Sequence, residues 1–372
     1  MPRKTTALPC PASAALPDTI WRQQFRKKLH GWYARHARDL PWRRQSDPYA
    51  IWVSEIMLQQ TQVATVAPYF ARFLAAYPSI AALAAADRQD VLRLWEGLGY
   101  YRRARQLHEA AAAVVREHGG QFPRDQQAVR RLPGIGRYTA GAILSIAFDA
   151  RQPILEANTL RLWCRLLGYR GDPRSAAGQQ LLWAAAEIAL PRRGCGTFNQ
   201  ALMELGSQIC LPREPRCEAC PAALLCRARA EQAQAEILPV QVKPPAEARH
   251  EAAVVIRRGR KVLLLECPAD GRWAGLWDFP RYRLHSATEA AVPGELAEAV
   301  RNETGVVVRL GRRLATFKHS VTRFRITLDC FEAAYLSGPA RPSDLRSMQW
   351  LEPAQLDRYP LCTTGREISR LV

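Results

Sequence analysis

Four cysteines fall within seventeen residues, spaced Cys210-x6-Cys217-x2-Cys220-x5-Cys226. Thiolates so close in sequence can surround one metal centre, whereas disulfides among them would be strained and short-lived in a reducing compartment. Zinc sites usually set two CxxC-type pairs apart by a longer stretch. Here one CxxC is present and the other two cysteines come singly, which favours a [4Fe–4S] cluster on Cys210, Cys217, Cys220 and Cys226, with zinc as the rival. Arg213 and Arg216 lie inside the loops. A cluster that stiffens a basic loop for phosphate contact fits this better than electron transfer.

A second grouping is Leu132-Pro133-Gly134-Ile135-Gly136-Arg137. Two glycines one residue apart allow a tight turn with outward-facing N–H groups, and a following helix adds its positive end. The N–H groups of Gly134 and Gly136, with Arg137, can clamp a phosphate without reading a base. The charge agrees: 372 residues carry 53 Lys plus Arg against 34 Asp plus Glu, a net of +19 that points to a polyanionic partner. Only six of the basic residues are lysine, and none lies between positions 29 and 242. Chemistry through a lysine amine is thereby excluded over that span.

The chain must supply elements to hold these groups. Hydrophobic residues at 48% and charged residues at 23% exclude wholesale disorder, and no apolar run approaches the ~18–20 residues of a membrane span. Residues 1–20, broken by Pro9, Pro11 and Pro17, read as a flexible tail on a cytoplasmic protein. From 21 to 230 the pattern is helical. Trp21, Phe25, Leu29 and Trp32 mark one apolar face, and similar periods run through 49–65, 100–117, 138–148, 158–167, 175–189 and 197–209. Prolines mark a linker over 231–248. Beyond it the period becomes two: 252–256 and 262–265 flank an Arg258-Gly259 turn, Phe324–Cys330 alternates, and one helix-like segment covers 294–304. The fold class expected is an all-α domain over 21–230, followed by an α+β domain over 249–372.

Residues 21–226 resemble the helix-hairpin-helix DNA glycosylases with an iron–sulfur cluster, the endonuclease III superfamily, and within it the adenine glycosylases of the MutY type. The resemblance rests on Leu40-Pro41-Trp42-Arg43, on Ile51 to Val63 (IWVSEIMLQQTQV), on Gly97-Leu98-Gly99-Tyr100-Tyr101, on the hairpin through Gly141, and on the cysteines. It implies hydrolysis of the N-glycosidic bond of adenine mispaired with 8-oxoguanine or guanine in double-stranded DNA, as a step of base-excision repair. Such chemistry needs a proton for the departing base and a negative charge beside the sugar cation. Glu55 matches the family's general acid, among the apolar neighbours Trp52, Ile56, Met57 and Leu58. The second carboxylate departs from the pattern: the family usually has Leu-Asp-Gly-Asn, and this chain reads Leu155-Glu156-Ala157-Asn158. Glu156 keeps the charge on a longer side chain, and Asn158 is expected to cap a helix starting at Thr159. The altered pair leaves open a non-catalytic lesion-binding module, or a glycosylase acting on a different base. The resemblance also nominates Arg43 and Glu204 for the adenine pocket, with Gln60 and Tyr100 as wedges that refill the base stack. Tyr138 occupies the place of the lysine that lyase members use.

Residues 249–372 resemble a Nudix domain, through Arg272-Trp273-Ala274-Gly275-Leu276-Trp277-Asp278-Phe279-Pro280. The segment Glu298–Val306 aligns with the Nudix box but retains one of its acidic residues, Glu303. One carboxylate cannot hold the Mg²⁺ needed to cleave a diphosphate, so recognition of 8-oxoguanine without nucleotide hydrolysis is expected. The family's Phe-Ser-His element appears as Phe317-Lys318-His319-Ser320, with lysine in the serine's place. The whole reads as a monomer associated with the nucleoid. Because the span 29–242 holds no lysine, borohydride trapping on a cleaved substrate is expected to yield no covalent complex through the glycosylase-like domain, as checked by gel electrophoresis.

Overall fold

In the computed structural model, the described residues are 16–237, 245–285, 288–321, 323–339 and 347–372. Most of the expected tail and residues 238–244 of the expected linker lie outside them. The helices are α1 (Thr19–His36), α2 (Pro48–Leu58), α3 (Val63–Ala76), α4 (Ile80–Ala84), α5 (Arg88–Leu94), α6 (Arg102–His118), α7 (Gln126–Arg131), α8 (Arg137–Phe148), α9 (Ala157–Leu167), α10 (Ala176–Ala189), α11 (Cys195–Gln208), α12 (Arg227–Ala230), α13 (Val292–Thr304) and α14 (Thr363–Ser369). The strands are β1 (Glu247–Arg258), β2 (Lys261–Glu266), β3 (Trp277–Asp278), β4 (Arg281–Arg283), β5 (Val307–Val321), β6 (Phe324–Ser337) and β7 (Met348–Leu351). Packing groups them into two units, Met1–Phe70 with Ala113–Val242, and Ala71–Ala112 with Lys243–Val372. No helix among the described residues is long and apolar enough to cross a membrane.

The first unit is helical because short polar side chains start its helices and apolar stripes join them. Asp18 caps α1, Asp47 caps α2 with Pro48 in the first turn, Asp125 caps α7 and Ser175 caps α10. The expected face of α1 is buried through Phe25, Leu29 and Trp32, which pack with Trp163, Leu182 and Phe198 in one core. Helix α2 differs: every residue from Tyr49 to Met57 is buried, Glu55 included. A helix apolar on all sides belongs at the centre, and that placement removes Glu55 from water. The expected single helix over 49–65 is corrected to two. Gln59 turns extended and Gln60 left-handed (φ 56°), which ends α2 before α3 begins.

In the second unit the sheet runs β3-β2-β1-β6-β5, with β4 paired to β1 and β7 to β2. The expected hairpin is present, with Arg258 opposite Lys261 across the Gly259 turn. β1 and β6 are parallel, and the other pairs are antiparallel. One face of the sheet packs Ala253, Val255, Leu264 and Leu328 with Leu361 and Ile368, while the other packs Val254, Ile256 and Leu263 with Leu296 and Val300 of α13. β5 is absent from the sequence reading because Arg309, Arg312 and Arg313 blur its alternation. Register shifts between Leu310 and Ala315 then reset which side chains point inward.

Gly141 marks a close approach between α8 and the segment leading to Glu156. A Cβ there would stand 2.4 Å from the carbonyl oxygen of Pro153. Gly141→Ala is therefore expected to lower stability by about 3 kcal/mol, overpacking outweighing the gain in helix propensity. Urea denaturation checks it through a lower midpoint with unchanged slope.

Candidate active site

A cleft of about 450 Å³ in the first unit gathers Arg43, Glu55, Gln60, Tyr138, Glu156, Asn158 and Glu204, residues far apart in sequence. Glu55 enters from the middle of α2 and is 6% exposed. The Tyr138 hydroxyl donates to its Oε2 at 2.8 Å. Burial pushes the Glu55 carboxyl up to about 7; the tyrosine bond opposes this, the charge of Glu156 adds to it, and Arg43 opposes it. Tyr138 itself is pushed well above its ordinary value by burial and by Glu55.

Glu156 is the N-cap of α9, a place usually taken by shorter Asp, Asn, Ser or Thr. Its longer side chain folds back, so that Oε2 accepts from the Asn158 N–H at 2.8 Å and Oε1 from the Thr159 N–H at 2.8 Å. Thr159 Oγ1 accepts from the Glu156 N–H in return, completing a capping box. Burial raises the Glu156 pKa, while these backbone bonds and Arg161 hold the rise in check. The expected cap is thus corrected. The helix starts at Ala157, and Asn158 braces the cap instead: its Nδ2 donates to Glu156 Oε2 at 3.3 Å and its Oδ1 accepts from Arg161 at 3.0 Å.

Glu204, on α11, is wholly buried and has a third environment. Arg38 donates from Nε at 2.6 Å and from NH2 at 3.0 Å, Arg43 donates from NH2 at 2.7 Å, and Gln208 also reaches it. Burial alone would raise its pKa, but the two guanidiniums together hold it below the usual carboxylate range. The sequence reading missed Arg38 and Arg161. Neither stands in a motif, and among so many arginines a partner is set only by packing.

The hairpin lies where α7 ends and α8 begins, with Gly134 at φ 76° and Gly136 as the N-cap of α8. A left-handed φ at that turn is open to glycine and strained for other residues. Gly134, Gly136 and Arg137 are exposed, and the Arg137 guanidinium lies 3.8 Å over the Trp183 ring. The four cysteines line one small apolar cavity with Leu162, Leu166 and Ile209. Cys220 is pushed up to about 12 by burial, and Cys210, Cys226 and Cys217 add to that rise. Arg165 donates to Cys210 Sγ at 3.4 Å, and Arg161 donates to the Cys210 carbonyl at 2.7 Å. Among the described residues, no three His, Cys, Asp or Glu side chains converge as one metal ion requires.

The remaining candidates lie in the second unit. Tyr100 is 53% exposed with a left-handed φ of 49°. It lines a cleft of about 650 Å³ with Arg272, Trp273 and Ser320. On β5 the alternation exposes Lys318 and Ser320 and turns Phe317 and His319 inward. Burial and the charge of Arg281 push the His319 pKa down.

Comparison with known proteins gives two family matches: "HhH-GPD superfamily base excision DNA repair protein" over residues 53–187, and "NUDIX domain" over 252–370. Adenine DNA glycosylase of Mus musculus is 36% identical over 383 residues, covering 88% of this chain and 74% of that protein. The Homo sapiens protein of the same name is 32% identical over 401 residues, covering 93% and 73%. Among solved structures, a thermostable thymine-DNA glycosylase is 31% identical with a TM-score of 0.53, covering 57% of this chain and 98% of its own.

The Glu55 environment has a direct spectroscopic consequence. Its carboxyl is expected to titrate near pH 7 by carbon-13 NMR of labelled glutamate. Tyr138→Phe removes a donor that favours the charged form, so the midpoint should move upward; a midpoint that stays or falls contradicts the assigned cause.

Proposed function

Because the chain belongs to the adenine DNA glycosylase family, we propose that it hydrolyses the N-glycosidic bond of adenine mispaired with 8-oxoguanine or guanine in duplex DNA. One observation carries the reading: Glu55, buried in the middle of an apolar helix and hydrogen-bonded by Tyr138, shares one cleft with a second carboxylate, Glu156. Adenine leaves poorly as an anion. As the bond to the sugar breaks, its electron pair goes to the base, and Glu55 supplies a proton to the ring. The sugar becomes cationic and is stabilised by Glu156, whose charge the N-terminus of α9 supports. Water adds to the sugar carbon and yields its proton to a carboxylate, leaving free adenine and an intact abasic site. Tyr138 orients Glu55, and Arg43 with Glu204 shapes the base pocket.

The sequence division supports a base-removing domain over 21–230 and a lesion-recognising domain over 249–372, joined over 231–248. Gly134, Gly136 and Arg137 grip phosphate, and Gln60 and Tyr100 refill the stack. In the segment Phe317, Lys318, His319 and Ser320, the exposed Lys318 and Ser320 face the 8-oxoguanine side, backed by the inward Phe317 and His319. On β5, Lys318 and Ser320 share the exposed face, so either can replace the family's serine contact. A monomer acting on the nucleoid suits this reading. Cys210, Cys217, Cys220 and Cys226 suit a [4Fe–4S] cluster: the four line one small apolar cavity, and burial disfavours the thiolates of Cys220 and Cys226 unless a cationic centre compensates them. When bound, the cluster supplies a rigid cross-link for the loop.

Single-turnover assays on A·8-oxoG, A·G, A·C and T·G duplexes test the proposal, the last because one structural relative bears a thymine name. Adenine release from the first two is expected, with strand breaks only after alkali. The rate should fall as pH rises through about 7, as Glu55 loses its proton. Glu55→Gln and Glu156→Gln should each slow release by about 10²–10⁴-fold. Undiminished release by Glu156→Gln removes that residue from the mechanism, and tight binding without release favours a lesion-binding module.

A further inference from the structure

The segment Ala71–Ala112 shares a compact unit with the sheet, and one loop in it is held under strain. Glu96 is followed by Gly97 at φ 94°, Gly99 at 72° and Tyr100 at 49°. For tyrosine that backbone is strained by its Cβ. Tyr100 is backed by the Arg103 guanidinium at 5.3 Å, which also stacks on Trp95 at 5.5 Å. Trp95 Nε1 and Arg103 NH2 both donate to the Gly99 carbonyl, at 3.1 and 3.2 Å. An exposed aromatic ring fixed from behind in this way has the form of a wedge.

The base of the loop is held by Arg366, on α14 near the end of the chain. Its Nε and NH2 contact Glu96 at two points, 2.8 Å to Oε1 and 3.1 Å to Oε2. The two side chains are only 12% and 9% exposed. The Leu361 N–H donates to the same carboxylate at 3.2 Å, and Arg366 is anchored in turn by the carbonyls of Leu356 and Tyr359 at 3.1 and 2.7 Å.

We propose that the Arg366–Glu96 pair is a positioning latch, through which α14 keeps Tyr100 protruding to open the duplex beside the target adenine. The inference rests on the function proposed above. A two-point guanidinium–carboxylate contact resists rotation as well as separation. With Arg366 removed, Glu96 keeps Arg93 at 3.2 Å on Oε2 but loses its two-point contact and its tie to α14, and the strained loop is free to relax. Because Tyr100 and Ser320 line one cleft, the latch ties the wedge to the strand that faces the lesion. Arg366 touches neither base nor sugar; it acts through Tyr100.

Duplexes with 2-aminopurine in place of the target adenine test this, because the base brightens when it leaves the stack. Wild-type protein should brighten it on binding. Arg366→Ala should bind with Kd little changed, lose most of the brightening, and release adenine about ten- to a hundredfold more slowly, the scale for misplacing a positioned group. Tyr100→Ala should lose the same signal, and the double variant should be no worse than Tyr100→Ala alone. Arg366→Lys keeps the charge without the two-point contact and should fall between; it decides the matter if thermal melting shows Arg366→Ala unfolded. Wild-type brightening in the Arg366 variant, or additive losses in the double variant, overturns the latch. A wild-type protein that neither brightens the duplex nor releases adenine overturns the underlying function instead.

Discussion

Three carboxylates are withdrawn from water in one cleft, and the surrounding helices are arranged around the cost of that. Burial pushes each toward the neutral form, so the charge each carries is set by what it has been given in compensation. Glu55 has a phenol and stays near neutrality in its titration. Glu156 has the amide end of α9, and Glu204 has two guanidiniums that hold it ionised. One pocket thereby holds carboxyl groups of one chemical type with different proton affinities. The division of labour proposed between acid and charge stabiliser follows from the partners.

Those partners explain part of the charge balance as well. A surplus of +19 suggests a surface built for a polyanion, but several arginines face inward. Arg26 donates to the carbonyls of Ile188, Ala189 and Leu190 at the end of α10. Arg165 holds the carbonyls of Leu211, Pro212 and Gln234 around the cysteine loop. A planar fork with several donors satisfies helix ends and loop carbonyls that a single ammonium could not. The lysine-free centre of the chain is thus also a structural preference, with guanidinium used as an internal brace. The surface charge available to DNA is correspondingly smaller than the formal total.

Local order was readable from the sequence, and tertiary pairing was not. The helical face of α1, the hairpin, the Arg258-Gly259 turn and the change to a two-residue period follow from residues close in sequence; the grouping of Glu55, Tyr138 and Glu156 was legible only through the family resemblance. The break at Gln60 was missed because nothing in IWVSEIMLQQTQV interrupts the apolar period; only the left-handed backbone does. The cap of α9 was misplaced by two residues because glutamate is a rare cap and Asn158 is a common one. β5 was hidden by arginines on its exposed face. Arg38, Arg161 and Arg366 were invisible for one shared reason: an arginine in an arginine-rich chain carries no spacing signal, and each has a partner distant in sequence (Glu204, the Cys210 carbonyl and Glu96).

The Tyr138–Glu55 bond has a consequence for how grip and chemistry communicate. Tyr138 is the second residue of the helix that Gly136 opens, so the turn proposed to hold phosphate and the hydroxyl that steadies the proposed acid belong to one rigid rod. A displacement of that rod alters the proton affinity of Glu55 through a single 2.8 Å contact. Linkage makes the relation mutual: whatever the clamp does to the proton, the proton does to the clamp. Affinity for the backbone and the ionisation of the cleft are, in that sense, two readings of the same spring.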